Sequence, residues 1–393
     1  MVYISAFSLT NFRSYRQLDL TLEPGTNVLV GYNGVGKTNI AEALNYLATH
    51  RSHRVSHDGP LIHFGADQAH IRGRVHYDQR AVGLDLEINP GKSNRVSINR
   101  GAPQPAKEGL GLVRCVLFAP EDLQLLTGDP SVRRNFLDDL TVQLRPVMAD
   151  ARREYERVLK QRNALYKSAK KARRWGADED STRQVFDEYL ARAGARILSG
   201  RLHVLQLLAQ PLNAAYQALA PGIKDAGFSY ESTVGLAAGQ HSVVPEESAL
   251  AGAMLEELRQ VHDQEQDRGL TLVGPHRDEV KFTLGPAPAK GYASHGETWS
   301  FALGLRLASY QVLAEDRPTD QDRPLLVLDD VFAELDAKRR EKLAQIASQA
   351  HQVIVTAAVA EDLPTALQGP RFSVHADNGV SHVEGADVEG LED

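Results

Sequence analysis

The chain has a single cysteine in 393 residues, Cys115, so no intrachain disulfide can form and no Cys-x-x-Cys zinc pair exists. Its apolar surroundings, residues 112–118, make it a packed strand residue. No apolar run approaches the ~20 residues of a membrane span, and no charged-then-apolar leader opens the chain. The expectation is a cytoplasmic protein that is not integral to a membrane. Positive charge is also not in excess. With 44 Lys and Arg against 51 Asp and Glu, the formal charge is −7. That excludes a surface binding nucleic acid everywhere and confines any such site to a local patch. No internal repeat is evident, and at about 150 residues per domain the length predicts two domains.

What the chain does have is Gly31-Tyr32-Asn33-Gly34-Val35-Gly36-Lys37-Thr38, a complete G-x-x-x-x-G-K-[ST] loop. Residues 27–30 before it read as an apolar strand, and from Asn39 the apolar residues recur at helical spacing. Strand, glycine turn and helix aim backbone N–H groups and a positive helix end at phosphates. Lys37 would reach the β- and γ-phosphates of a nucleotide, and the Thr38 hydroxyl would ligate magnesium.

Residues 324–330, Pro-Leu-Leu-Val-Leu-Asp-Asp, read as a buried parallel strand ending in two carboxylates. Asp329 is placed to hold magnesium and Asp330 to orient or deprotonate a water. Ser294-His295-Gly296-Glu297 precedes an amphipathic stretch, 298–314, which makes Ser294 and Gly296 a second anion site at a helix start. An ordinary helix cap accounts for Ser294 equally well. Glu334-Leu335-Asp336 and the strand 353–356, ending in Thr356, complete the series.

In that order these motifs resemble the ABC-type ATPase heads of the SMC superfamily and, within it, the RecF family of bacterial recombination repair. The resemblance covers nearly the whole chain. It includes Asn11-Phe12-Arg13-Ser14-Tyr15, Arg51-Ser52-His53-Arg54, Phe118-Ala119-Pro120-Glu121-Asp122-Leu123, Arg133-Arg134-Asn135-Phe136-Leu137-Asp138 and Gly274-Pro275-His276-Arg277-Asp278. It implies ATP and magnesium as cofactors, with Lys37 and Asp330 catalytic. Residues Gly31 to Asn39, Arg13, Ser294 and Gly296 would bind the nucleotide, and Thr38 and Asp329 the metal. It further implies a weak, DNA-stimulated ATPase, ATP-dependent homodimerisation on double-stranded or gapped DNA, work with RecR and RecO to load RecA, and a part in replication and the SOS response. The competing reading is an ABC-type motor serving a transporter or an anti-phage nuclease. A transporter motor should lack a basic helical arm, and the nuclease should carry a further carboxylate-rich module.

Such an arm is legible. Met148, Ala151, Tyr155, Val158, Arg162, Leu165, Ala169 and Ala172 step by three and four, and after a polar break Phe186, Leu190, Ala193, Ile197, Gly200, Val204 and Leu207 do the same. The expectation is an antiparallel hairpin with arms ~40 Å long, loosely packed or supported by a partner, since Arg162 sits on the seam with Gly194 close by and Gly200 in the other arm. Its basic residues run from Arg145 to Arg174. They are a solvated helix face or a nucleic-acid surface, with Arg51, Arg54, Arg152 and Arg153 favoured as contacts over the distal Lys170, Lys171, Arg173 and Arg174. His50, His53 and His57 are interleaved with arginines, which disfavours a dication.

The predicted fold is α/β: an ABC-type ATPase lobe from residues 1–118 and 319–393, with a mainly helical lobe, 119–318, inserted. Strands are expected at 2–9, 27–30, 69–77 and 81–88, a signature helix at 291–318, strand, helix and strand in 324–376, and a frayed acidic tail from Asp377. Gln124 is the nearest candidate for a magnesium-touching glutamine. His276 and Arg277 either enter the nucleotide site or begin a strand after the Gly-Pro turn.

Overall fold

The computed structural model describes residues 1–172, 174–222, 224–235, 237–239, 243–316, 323–359 and 363–385. Arg173 and the acidic end of the expected tail, 386–393, lie outside them. The chain forms two compact units. Met1–Leu123, Ala214–Pro221 and Ser300–Asp393 make the first, and Gln124–Asn213 with Gly222–Trp299 the second. The signature helix is His295–Glu315, and its residues from Ser300 onward count with the first unit.

Two six-stranded sheets build the first unit. One is antiparallel: Tyr15–Thr21, Val2–Phe12, Ala69–Tyr77, Arg80–Ile88, Arg95–Ile98 and Gln104–Pro105, in that spatial order. The other runs Val380–Glu384, Arg371–Asp377, Gly25–Val30, Gln352–Ala357, Leu325–Asp329 and Cys115–Phe118, parallel except for its first edge strand. Cys115 is buried in that last strand. Helix Lys37–Thr49 follows the glycine loop and is buried nearly all round. Ile40, Ala41, Ala43, Leu44, Tyr46 and Leu47 all belong to the common core with residues of both sheets. Each fully buried Leu or Ile there contributes about 1.5–3 kcal/mol. Gly73 makes room for the helix, since a Cβ there would lie 2.8 Å from Leu47 Cδ2. The tail expected from Asp377 is instead a strand to Glu384, because Asn378-Gly379 turns the chain back, both at positive φ.

The second unit joins helices to a four-stranded sheet. Helices Met148–Ala172 and Ala177–Leu219 lie antiparallel along the hairpin, with Arg162 facing Asp187, Tyr155 facing Gly194 and Met148 facing Gly200. The seam is not loose at Arg162. Its guanidinium is wholly buried and donates to Asp187 (2.7 Å), Glu265 (2.7 Å) and Thr271 (2.9 Å), and it packs 4.8 Å over the Tyr166 ring. Arg183 also donates to Asp187. Tyr166, not Leu165, carries the seam onward, and Ala172 is exposed.

The two arginine-rich motifs meet inside this unit. Arg201 donates to Asp138 (2.7 and 2.9 Å) and to the Pro275 carbonyl (2.7 Å), and Arg134 donates to the Asp278 carbonyl. His276 lies 2.6 Å from the Tyr155 hydroxyl, and burial pushes its pKa down to about 4. His276 and Arg277 are therefore anchors of the second unit, with Arg277 bound to the Thr271 carbonyl.

Removing one partner from a buried ion cluster leaves charge uncompensated, at about 3–5 kcal/mol. Arg162→Ala should destabilise the protein by that amount, whereas replacing Arg162, Asp187 and Glu265 together by Met and Leu should recover most of the loss. Denaturant titration checks this. A loss below about 1 kcal/mol for the single change would show that the cluster does not hold the hairpin.

Candidate functional site

Parallel register brings three strand ends together. Thr356 is paired between Asp329 on one side and Leu29 on the other, which puts the glycine loop, Thr356 and both carboxylates at one edge. This is the edge where open α/β sheets bind ligands. The glycine loop is fixed by close approach. A Cβ on Gly31 would lie 2.1 Å from the Val374 carbonyl, and one on Gly36 would lie 2.4 Å from Ser381 Oγ. Gly36 also has φ +112, and its carbonyl accepts from the buried Tyr15 hydroxyl at 3.2 Å. Ser14 links Asn39 (2.7 Å) and Ser381 (2.6 Å) behind the loop.

Lys37 is almost fully buried and donates to the carbonyls of Gly31 (2.7 Å) and Tyr32 (3.1 Å), with Asp330 4.0 Å away. Thr38 Oγ1 donates to Asp329 Oδ1 at 3.3 Å, and Thr356 Oγ1 donates to the same oxygen at 2.7 Å. Burial, with smaller contributions from Asp330 and Glu121, raises the Asp329 pKa to about 6 against the pull of the two hydroxyls. Asp330 sits in the left-handed region at φ 50, its N–H bound to Thr356 Oγ1 at 2.9 Å and its side chain 30% exposed. Thr38 and Asp329 supply hard oxygen donors close together, the set a magnesium ion takes.

Glu42, one turn along the same helix, is wholly buried and was not singled out in the sequence. Arg13 engages it through two bonds (2.7 and 2.8 Å), Ser52 donates to it, and Arg54 lies 3.6 Å away. These bonds hold its pKa below the usual carboxylate range against the opposing effect of burial. Arg13, expected at the nucleotide, is thus paired with a carboxylate. Arg54 also donates to Asn39 and lies 4.0 Å from Glu121, at the start of the loop helix. His53 is enclosed between these groups, its pKa lowered by burial, with Glu42, Glu121 and Asp122 acting against that. Glu121, the residue after Pro120, acts electrostatically on Asp329, and Gln124 is exposed.

Ser294 and Glu297 form a reciprocal capping box: the Ser294 N–H donates to Glu297 (2.8 Å) and Glu297 N–H to Ser294 Oγ (3.3 Å). Lys224 pairs with Glu297 and, with the Ser294 bonds, brings its pKa to about 2. Ser294 itself is exposed. Arg152, expected on a nucleic-acid surface, is turned inward onto Asn135 (2.9 Å) and Asp139 (3.0 Å), whereas Arg153 is 57% exposed. Among the described residues no cluster of three or more His, Cys, Asp or Glu is shaped for a metal, and no helix is long and apolar enough to cross a membrane.

A buried acid with a raised pKa costs stability above that pKa. Folding binds the proton more tightly than the unfolded chain, so stability falls as pH climbs from about 4 through about 6. Asp329→Asn keeps an oxygen for both hydroxyls and removes the charge. It should stabilise the nucleotide-free protein by about 1–3 kcal/mol above pH 6 and by much less near pH 4. Thermal melts across pH check this, and an equal effect at both ends would show the carboxylate is not the source.

The family model for the RecF/RecN/SMC N terminal domain matches residues 3–378. The DNA replication and repair protein RecF of Renibacterium salmoninarum is 52% identical over 394 residues, 95% of this chain and 98% of that one. Its counterpart from an Arthrobacter species is 50% identical over 391 residues, again 95% of this chain and 97% of that one. Among solved structures, the recombination mediator protein RecF with ATP, of the RecFOR pathway, matches with a TM-score of 0.84 at 26% identity over 97% of both chains. An Smc head domain from Pyrococcus furiosus matches at 0.52 and 18% identity, over 98% of this chain and 96% of that one, a likeness of fold. With its phosphate-loop strand, paired-carboxylate strand and helical insertion, the chain belongs to the RecF family of SMC-type head domains.

Proposed function

We propose that this chain is an ATP-driven DNA clamp of recombinational repair and replication. The observation that carries the reading is convergence across the sequence: Lys37 and Thr38 stand within 4.0 Å and 3.3 Å of Asp330 and Asp329, some 290 positions away. ATP would lie with its phosphates on the amides of residues 31–39 and on Lys37. Thr38 and Asp329 would hold magnesium, which supplies positive charge against the phosphate oxygens. Asp330, partly exposed at the same edge, orients the attacking water, and its short side chain fits slow turnover. Arg13 would serve the nucleotide either directly or through Glu42. The exposed Ser294-Gly296 helix start fits a role in covering the nucleotide of a second copy, where two helix ends would share one γ-phosphate. In this reading residues 1–118 and 319–393 act as the ATPase lobe and 119–318 as the signature and arm lobe.

DNA contact is assigned to Arg51, Arg54 and Arg153, without Arg152. On helix Met148–Ala172, exposed Arg153, Arg157, Lys160, Lys167 and Lys171 follow steps of four, three, seven and four, one continuous basic face. The names of the relatives, a replication and repair protein and a mediator of the RecFOR pathway, support RecR with RecO as partners, and the family resemblance implies RecA loading as the outcome.

Two experiments test this. Asp330→Asn should bind ATP, slow hydrolysis by about a hundredfold or more and accumulate dimer in sizing runs with ATP. A variant that stays monomeric while the wild type dimerises would sink the assigned role. Charge reversal at Arg153, Arg157 and Lys160 should weaken duplex binding and flatten its log–log salt slope by about 0.9 for each phosphate no longer neutralised. An unchanged slope would remove the arm from the DNA surface and leave the ATPase reading standing.

A further inference from the structure

The most exposed large apolar side chain among the described residues is Phe64, at 100% of its accessible surface. It does not sit on a loose tip. Residues 63–66 close a turn, with Ala66 N–H donating to the His63 carbonyl at 2.9 Å and Gly65 at φ +89. The turn is tied to the first hairpin from both sides. Arg13 N–H donates to Leu61 (2.7 Å), His63 N–H donates to Asn11 (2.8 Å), Phe12 bridges Ile62, and the His63 ring lies 2.7 Å from the Arg13 carbonyl. The ring is thus presented to solvent by a braced backbone, so little ordering entropy remains to be lost on binding.

Phe64 itself lines an open cleft of about 560 Å³, with Asn11, Arg16, His63, Asp67 and Gln68 among the other lining residues, within the ~300–1,000 Å³ range of ligand sites. Arg16 is exposed, and among the described residues its guanidinium has no side-chain partner. The Gln68 amide nitrogen faces His70 at 3.0 Å, which leaves its carbonyl toward solvent. Five of the eight lining residues carry hydrogen-bonding side chains, and the only large apolar one is Phe64. A protein partner anchored on Phe64 would need an apolar surround to exclude water from the anchor, and in the cleft only the small Gly65 and Ala66 accompany it. A lone aromatic face ringed by an arginine, amides and one carboxylate is instead the pattern that takes a nucleobase: the ring stacks, the polar groups meet the base edge, and the guanidinium meets a phosphate.

We propose that Phe64 is a stacking platform for an unpaired nucleobase, with Arg16 as its phosphate contact. Bases in an intact duplex have both faces covered, so the site addresses the single-stranded side of a gap. The inference rests on the DNA-binding reading above and adds to it a residue that separates single-stranded from duplex DNA. It uses none of the nucleotide-site residues.

The test uses the full chain and one fluorescent DNA prepared as single strand, as duplex and as gapped duplex carrying 2-aminopurine in the gap. Phe64→Ala should weaken binding to the single-stranded and gapped probes about 5- to 150-fold, the loss of one stacked base, and leave duplex affinity within about twofold. Phe64→Trp should retain binding and quench the 2-aminopurine, and Arg16→Gln should weaken the same two probes and reduce their salt dependence. Because Phe64 is fully exposed, its replacement leaves the fold intact, which a thermal melt verifies. Equal losses on all three probes, or none, would overturn the inference while leaving the DNA-binding reading in place. Unchanged DNA binding together with lost ATP-dependent dimerisation would assign Phe64 to a protein contact and also overturn it. A wild type that binds none of the probes removes the DNA-binding reading itself.

Discussion

One buried carboxylate oxygen joins the parts of the first unit that matter. Asp329 Oδ1 accepts from Thr38 at the start of the loop helix and from Thr356 at the end of the neighbouring strand, and Thr356 in turn receives the N–H of Asp330. Segments from the beginning of the chain and from two places near its other end are thereby fixed to one atom. The arrangement is costly in isolation. Two hydroxyl donors do not offset the desolvation of the carboxylate, and its pKa stands near 6. A residue that costs stability at neutral pH and yet holds the geometry of its neighbours is what a phosphate and cation site requires. On the proposed reading, the dication supplies the charge that the hydroxyls cannot.

The loop that faces this carboxylate is shaped from behind. Gly31 and Gly36 admit the Val374 carbonyl and Ser381 Oγ at distances no Cβ would permit. Both contacts come from the hairpin Arg371–Asp377 and Val380–Glu384. Two of the loop's glycines are therefore explained by packing against the C-terminal hairpin as well as by the need to expose amides. The same hairpin turns what reads in the sequence as the start of an acidic tail into structure.

The fold was legible where periodicity and turn chemistry agree. The strand 69–77 has its predicted bounds, and the glycine loop sits between a strand and a helix as its pattern requires. The reading failed where a long polar side chain replaced an apolar one in a core. Heptad spacing traces the seam through Leu165, but a helix near 3.6 residues per turn drifts, and the buried position is Tyr166, which serves the Arg162 cluster. At the site, Lys37, Thr38, Asp329 and Asp330 were visible because their motifs are local. Glu42, Glu121 and the two hydrogen bonds of the Thr356 hydroxyl were not, since each acquires its partners only through tertiary contact. The one available signal was an acid, Glu42, within the apolar run from Ile40 to Leu44.

A chain of charge −7 can still present a basic surface, because its arginines do two different things. Arg133, Arg152, Arg162 and Arg201 are consumed internally, each by carboxylates, which for Arg162 and Arg201 are buried or nearly so. Their planar, permanently charged forks suit that task. The residues that remain outside on helix Met148–Ala172 include three of the segment's lysines, spaced to one face with the arginines at 153 and 157. Counting basic residues along the segment overstates the surface charge, because two of its arginines, 152 and 162, point inward. Counting the whole chain understates it, because the acids are spread elsewhere. What a polyanion would meet is the pattern left after the internal pairs are removed, and that pattern follows a single helix face.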